Sequence, residues 1–268
     1  MLAGLAPARR RLIVAVLAVV AAGLVVLGTL VFTRTTGTAR TTPVAQLRPG
    51  PVLLVPGYGG ATGGLHSLAD RLTAAGRDAT VVSLPGNGTG DLGASANALG
   101  VAVSAAMART GNRSVDLVGY SAGGIVVRLW VADGHADVVR RVVTLGSPHH
   151  GTSLADLAVS LAPGQCPLAC AQLATNSAVL ARLNAGDETP AGPTWVSIWT
   201  TQDATVTPPD SARLAGALNL PVQSVCGRAQ ITHGDLPTAQ LVQQMVLSEL
   251  GAGPTVALGA ADCARLSG

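Results

Sequence analysis

The stretch SVDLVGYSAGG, residues 114–124, runs from alternating apolar residues into a serine flanked by glycines. Its core, Gly119-Tyr120-Ser121-Ala122-Gly123, fits G-x-S-x-G, the pattern in which a strand turns sharply into a helix and leaves a serine hydroxyl exposed at the bend. Glycine is needed two positions either side because the backbone is strained there and a side chain would collide with the adjoining strand or helix. In a chain with 33 glycines the pentapeptide also arises by chance. The surrounding sequence must therefore decide between a nucleophile and a polar residue in a turn.

Outward from this point, short apolar runs alternate with longer amphipathic or alanine-rich segments, the pattern of a parallel sheet covered by helices. Six strands are expected at 51–57, 79–86, 114–121, 139–147, 194–200 and 221–227, with helices near 64–75, 91–109, 122–133, 209–218 and 235–250. Asp91 and Asp235 are placed to cap two of the helices. The expected fold is thus α/β, a mostly parallel sheet of about six strands with helices on both faces. The long gap 148–193 reads as a cap or acyl-binding wall, because long loops at strand carboxyl ends surround the ligand crevice of such sheets. An ordinary helical excursion is the alternative.

Composition excludes several chemistries. All 17 basic residues are arginine, so Schiff-base lysines and a Walker-type phosphate lysine are ruled out. Residues 1–42 hold five arginines and no acids, while the remainder holds 12 arginines against 14 acids, leaving the body slightly acidic. With few aromatics and no basic stripe, nucleic acid is not an expected partner.

Arg9, Arg10 and Arg11 precede 21 uncharged residues, Leu12 to Phe32. About 20 apolar residues cross a bilayer, more than the apolar core of a secretory signal. The arginines should stay in the cytoplasm. The expected organisation is a basic N-terminus (1–11), a transmembrane signal-anchor helix (12–32), a flexible linker (33–50) and a catalytic domain (51–268). Cleavage near Gly37-Thr38-Ala39, releasing a secreted protein, is the alternative. The four cysteines, Cys166, Cys170, Cys226 and Cys263, follow the apolar segment, where disulfides are permitted. Cys166 with Cys170 and Cys226 with Cys263 is the favoured pairing; free buried thiols remain open, and a metal site lacks further nearby ligands.

A serine nucleophile needs an imidazole to take its proton and an acid to orient that imidazole. On this kind of sheet the chain order is Ser, then Asp or Glu, then His. His66 precedes the serine, His135 lies on the following helix, and His149 and His150 come too early. His233 alone follows every candidate acid. Asp203, just past the fifth expected strand, is the preferred acid, since Asp187, Glu188 and Asp210 have turn or helix-start explanations. The oxyanion donors are expected to be the backbone N–H groups of Ala122, after the nucleophile, and of Tyr58, in the glycine-rich turn after the first strand.

The segments LLVPGYGG (53–60), VDLVGYSAGG (115–124), VVTLGSPHHGT (142–152), TQDATVTP (201–208) and THGDLP (232–237) occur in the order found in the α/β-hydrolase superfamily. The chain resembles its small bacterial lipases and esterases of the Bacillus and actinobacterial type over about residues 50–250. The resemblance implies Ser121 as nucleophile, Asp203 and His233 as its partners, Tyr58 and Ala122 as oxyanion donors, and no cofactor. It leaves His149 and His150 as structural or substrate-adjacent residues. Pro56-Gly57 stands where many relatives have His-Gly, and the apolar N-terminal segment is unlike the freely secreted members. The expected activity is ester hydrolysis outside the cytoplasm on a small-molecule or lipid ester. Acyl transfer through the same triad, amide hydrolysis and a noncatalytic binding module are the competing readings; oligomeric state is not legible.

Overall fold

Val115–Tyr120 (β3) forms the middle of a six-stranded parallel sheet with Val52–Val55 (β1), Ala79–Val81 (β2), Val139–Leu145 (β4), Thr194–Trp199 (β5) and Leu218–Pro221 (β6), in the order β2-β1-β3-β4-β5-β6. The computed structural model describes residues 44–268, together with Val19, Val20 and Gly23. Among the described residues no helix is long and apolar enough to cross a membrane. The expected span 12–32 lies, apart from those three residues, outside them.

Side-chain alternation sets up two cores. Leu53, Val55, Leu117 and Val142 point to one face, where helices α2 (Leu92–Thr110) and α3 (Ala122–Trp130) cover them; Val52, Leu54, Val118 and Val143 point to the other, beneath α1 (Gly63–Ala74). Burial on both faces is why β3 and β4 read as near-continuous apolar runs. Asp91 caps α2 as expected, accepting from Gly93 N at 3.0 Å, and Gly111 closes it at φ 69. The chain leaves β1 toward β2 on one side and returns to β3 on the other. The order in which strands are added therefore reverses between β1 and β3, and crevices form at the carboxyl ends of strands at such a point.

Four expectations need correction. The last strand is 218–221, not 221–227; residues Val222–Val225 form a short helix (α7) instead. The helix expected at 209–218 is only a 3₁₀ turn, Pro209–Ala212. There the Asn219 side chain accepts from Leu214 N and donates to the carbonyls of Leu214 and Ala217, diverting backbone groups a helix would use. Asp235 does not cap the final long helix, α8 (Gln240–Glu249), which begins behind Ala239; its carboxylate closes a turn onto Thr232 N at 2.9 Å. Part of the expected tether is docked: Gln46 Nε2 donates to Arg140 O at 3.2 Å and Gln46 O accepts from Arg140 Nη1 at 2.9 Å.

That docking belongs to a buried charge cluster at the amino ends of the strands. Asp116, fully buried, accepts from Arg140 Nε (2.8 Å), Arg140 Nη2 (2.6 Å) and Arg77 Nη2 (2.5 Å). Arg140 and Arg141 then donate to the carbonyls of Glu249, Leu250, Gly251 and Gly253, the orphan acceptors at and beyond the C-terminus of α8 (Gln240–Glu249). Both disulfides take the favoured pairing, Cys166–Cys170 and Cys226–Cys263, and no cysteine is free among the described residues. The second ties the C-terminal helix α9 (Cys263–Ser267) to the segment after α7.

The region 148–193 folds into three helices, α4 (Ser153–Leu161), α5 (Leu168–Gln172) and α6 (Ala178–Leu183). Polar staples hold it to the body. Gln172 accepts from Leu92 N at 2.8 Å and donates to Asp91, and Thr152 at the head of α4 donates to Thr205 O at 2.8 Å.

Candidate active site

Ser121 sits between β3 and α3 with φ 53 and ψ −127, one of two non-glycine residues at positive φ among those described. Steric necessity explains the flanking glycines. A Cβ on Gly119 would lie 2.5 Å from Gly124 Cα, and one on Gly123 would lie 2.2 Å from Val55 O. The sharp turn therefore packs backbone against backbone, and strain of this kind persists where the surroundings over-determine it.

Three side chains from separate elements meet at this turn. Asp203, past the end of β5, is buried, and its Oδ1 accepts from the N–H groups of Thr205 and Val206, both at 2.8 Å. Its Oδ2 stands 2.7 Å from His233 Nδ1, and His233 Nε2 stands 3.0 Å from Ser121 Oγ. A carboxylate only accepts, so Nδ1 carries the proton and Nε2 presents its lone pair to the serine hydroxyl. This arrangement can draw a proton from Ser121 and hold the resulting imidazolium against Asp203.

The loop after β1 lies against the serine. A Cβ on Gly57 would be 2.9 Å from Ser121 Cβ, which fixes how closely the Gly57–Tyr58 backbone approaches. Neither Tyr58 N–H nor Ala122 N–H has an acceptor among the described residues. Ala122 opens α3, and the first N–H groups of a helix have no partner within it.

A cavity of about 310 Å³ opens beside Ser121, walled by Tyr58, Leu154, Ala158, Leu173 and Val206. Its walls are mostly apolar, and Cys170 places one disulfide within them. Leu154, Leu157 and Leu161 on α4 and Leu168 on α5 are large apolar residues left exposed in the same region. Four other hollows among the described residues are larger, including one near Cys226 and one beside Val44 and Arg48, and none of the four touches Ser121.

His149 and His150 do not line the cavity. The His149 ring is fully buried, with Nε2 3.0 Å from Thr144 Oγ1; burial, with Arg128 and His150 nearby, holds its pKa well below the usual histidine value, so it stays neutral. His150 turns outward to Glu188 Oε1 at 3.0 Å. Pro148 and Thr152, on either side of this pair, reach the cavity instead. Of the other histidines, His135 stacks on Trp130. Among the described residues no group of three or more His, Cys, Asp or Glu side chains could hold a metal ion.

Sequence reading overlooked Gly146 and Tyr120. A Cβ on Gly146 would lie 3.2 Å from His233 Nδ1 and 3.3 Å from Asp203 Oδ2, so a bare backbone with φ 55 lets the acid and imidazole meet. In the sequence Gly146 is only part of the strand expected at 139–147, with nothing to say what it faces. Tyr120 donates its hydroxyl to His233 O at 3.2 Å.

A family model described as α/β hydrolase fold matches residues 50–165. Among solved structures the chain is similar to Aspergillus fumigatus lipase B, at 21% identity and a TM-score of 0.67 over 82% of this chain and 60% of that one. It thus spans about 60% of the fungal protein's length. A Bacillus licheniformis lipase in mature form is 26% identical, with a TM-score of 0.56 over 69% of this chain and 86% of that one. An α/β hydrolase from the metagenome of Moroccan lagoon sediments is 17% identical, with a TM-score of 0.51 over 71% and 86% of the two chains. The comparison with curated proteins gives no match.

Proposed function

This chain belongs to the α/β-hydrolase superfamily, and from that premise we propose that it is a serine carboxylic-ester hydrolase working through Ser121, His233 and Asp203. The observation that carries the reading is the unbroken relay from Asp203 Oδ2 through His233 to Ser121 Oγ, at 2.7 and 3.0 Å, opening into an apolar cavity. In the first step His233 Nε2 takes the hydroxyl proton as Ser121 Oγ attacks the acyl carbonyl. The tetrahedral oxyanion is held by Tyr58 N–H and Ala122 N–H. Collapse expels the alkoxide, which leaves with the proton from His233, and water repeats the cycle on the acyl-enzyme.

The apolar cavity and the exposed leucines of α4 and α5 favour a lipid-like acyl group over a short one. Hydrolysis rates on p-nitrophenyl esters of increasing chain length test this. Rates rising beyond butyrate support a lipase; activity confined to acetate and butyrate makes the enzyme a short-chain esterase.

The site of action is outside the cytoplasm, in keeping with two disulfides. The apolar span 12–32 behind Arg9–Arg11 acts as the membrane anchor, a reading carried by sequence alone. Extraction of membranes with alkaline carbonate decides it: retention in the pellet supports the anchor, and a soluble product shortened near residue 39 supports cleavage.

A further inference from the structure

Ser121 and His233 lie 112 residues apart, and the loop that carries the histidine is fastened unevenly. On the side of the acid it is well tied. Thr200 Oγ1 donates to Ile231 O at 2.6 Å and Ile231 N donates to Gln202 Oε1 at 3.0 Å, both next to the strand end that bears Asp203. Within itself the loop is closed by Asp235 on Thr232 and by Leu236 N on His233 O at 3.3 Å. On the side of the nucleophile, among the described residues, two hydrogen bonds join the loop to the end of β3 and the elbow. One is the Ser121–His233 bond, which must break and re-form in every turnover; the other runs from Tyr120 Oη to His233 O.

We propose that Tyr120 is a positioning residue for the general base, its hydroxyl holding the His233 backbone to the elbow so that Nε2 stays in line with Ser121 while the proton moves. The inference rests on the hydrolase reading above. Tyr120 immediately precedes the nucleophile, so the strain that fixes Ser121 also fixes the base of the phenol. Its ring lies alongside the imidazole, centroids 5.2 Å apart and planes tilted by 33°, which limits tipping of His233 away from the serine. Burial, with Asp203 and Asp235 nearby, pushes the phenol up to about 12, so it remains a donor throughout the range in which a histidine base works. A base displaced by a fraction of an ångström loses rate without losing substrate affinity, because the misalignment is felt only as the proton transfers.

The test is Tyr120→Phe in the full chain, which removes one oxygen and keeps the ring. Loss of a neutral hydrogen bond of this length predicts kcat about fivefold lower. KM and thermal midpoint should stay unchanged, and the ratio to the unaltered enzyme should be constant from pH 6.5 to 9. The single-turnover acylation rate should fall by the same factor. Replacing Tyr120 by p-aminophenylalanine restores a donor at the same place and should recover most of the loss. Full kcat in Tyr120→Phe, a loss carried by KM or by thermal stability, or failure of the amino analogue to rescue each overturns the proposal. A ratio that changes with pH also does so, since it makes the phenol itself an acid or base. Should Ser121→Ala retain esterase activity, the hydrolase reading fails and this inference with it. Should Ser121→Ala be inactive while Tyr120→Phe is unimpaired, the positioning role alone fails.

Discussion

A methyl group placed on Gly123 would sit 2.2 Å from the carbonyl oxygen of Val55. The contact is with backbone of the neighbouring strand, which cannot swing aside as a side chain can. Gly123→Ala therefore has to separate α3 from β1, and overpacking against fixed backbone costs about 3 kcal/mol or more. The expected result is a large fall in thermal midpoint or insoluble protein. A variant as stable as the original would show that the elbow is looser than the structure has it.

Gly146→Ala should instead spare much of the fold and strike the chemistry. The added methyl would press on Leu236 Cδ1, a flexible side-chain end, and on the His233–Asp203 pair at 3.2 and 3.3 Å. A kcat reduced roughly a hundredfold with a modest change in midpoint is expected, since small displacements of reacting groups cost about that much. Steady-state kinetics beside a melting curve separate the two effects.

Asp203→Asn tests the orientation of the imidazole. The amide can offer His233 Nδ1 a donor, which favours the tautomer with its proton on the wrong nitrogen. kcat should fall roughly a thousandfold or more while the protein remains folded. A loss of only two- or threefold would point to another acid.

Glu249 gives stability a pH dependence unrelated to catalysis. Burial pushes its carboxyl up to about 7, and one oxygen has no partner among the described residues. The folded state then keeps a proton that the unfolded chain releases above its ordinary value near 4.5. Stability should accordingly fall as pH rises from about 4.5 to about 7, by about 3 kcal/mol in all. Glu249→Gln, which cannot ionise, should flatten that slope; urea midpoints at pH 5 and pH 8 measure it, and an unchanged slope would assign the dependence elsewhere.

The two disulfides should differ in what they hold. Cys226–Cys263 closes a separation of 37 residues and Cys166–Cys170 a separation of 4. Loop-closure entropy gives about 4 kcal/mol for the first and about 2 for the second. Cys226→Ser with Cys263→Ser should lower the melting temperature more. Cys166→Ser with Cys170→Ser should act more on chain-length preference, because Cys170 lines the cavity.

Much of this architecture was legible because it is written in local pattern. Short, near-continuous apolar runs located β1 to β5, the order of serine, acid and histidine singled out His233, and a place just past the fifth expected strand singled out Asp203. The sixth strand and the helix before it were misread because the Asn219 side chain and two consecutive prolines at 208 and 209, which decide that stretch, break the periodicity. Asp235 has the look of a cap, yet Thr232 lies three residues before it and captures its carboxylate first. The role of Gln46 was invisible, since a polar, proline-containing stretch reads as tether until its partners Arg140 and Arg141 are known. These arginines were read only as part of a strand. Nothing local announces that they serve the end of a helix more than 100 residues away.

The central claim is that the Ser121 hydroxyl is an activated nucleophile. It is tested most directly by treating the full chain with a fluorophosphonate and locating the adduct by mass spectrometry of its peptides. The account predicts a single modification on Ser121, absent in Ser121→Ala, undiminished in Ser95→Ala and strongly slowed in His233→Ala. Labelling that persists in Ser121→Ala, or no labelling of the folded protein between about pH 6 and 9 where an imidazole base is competent, would contradict it.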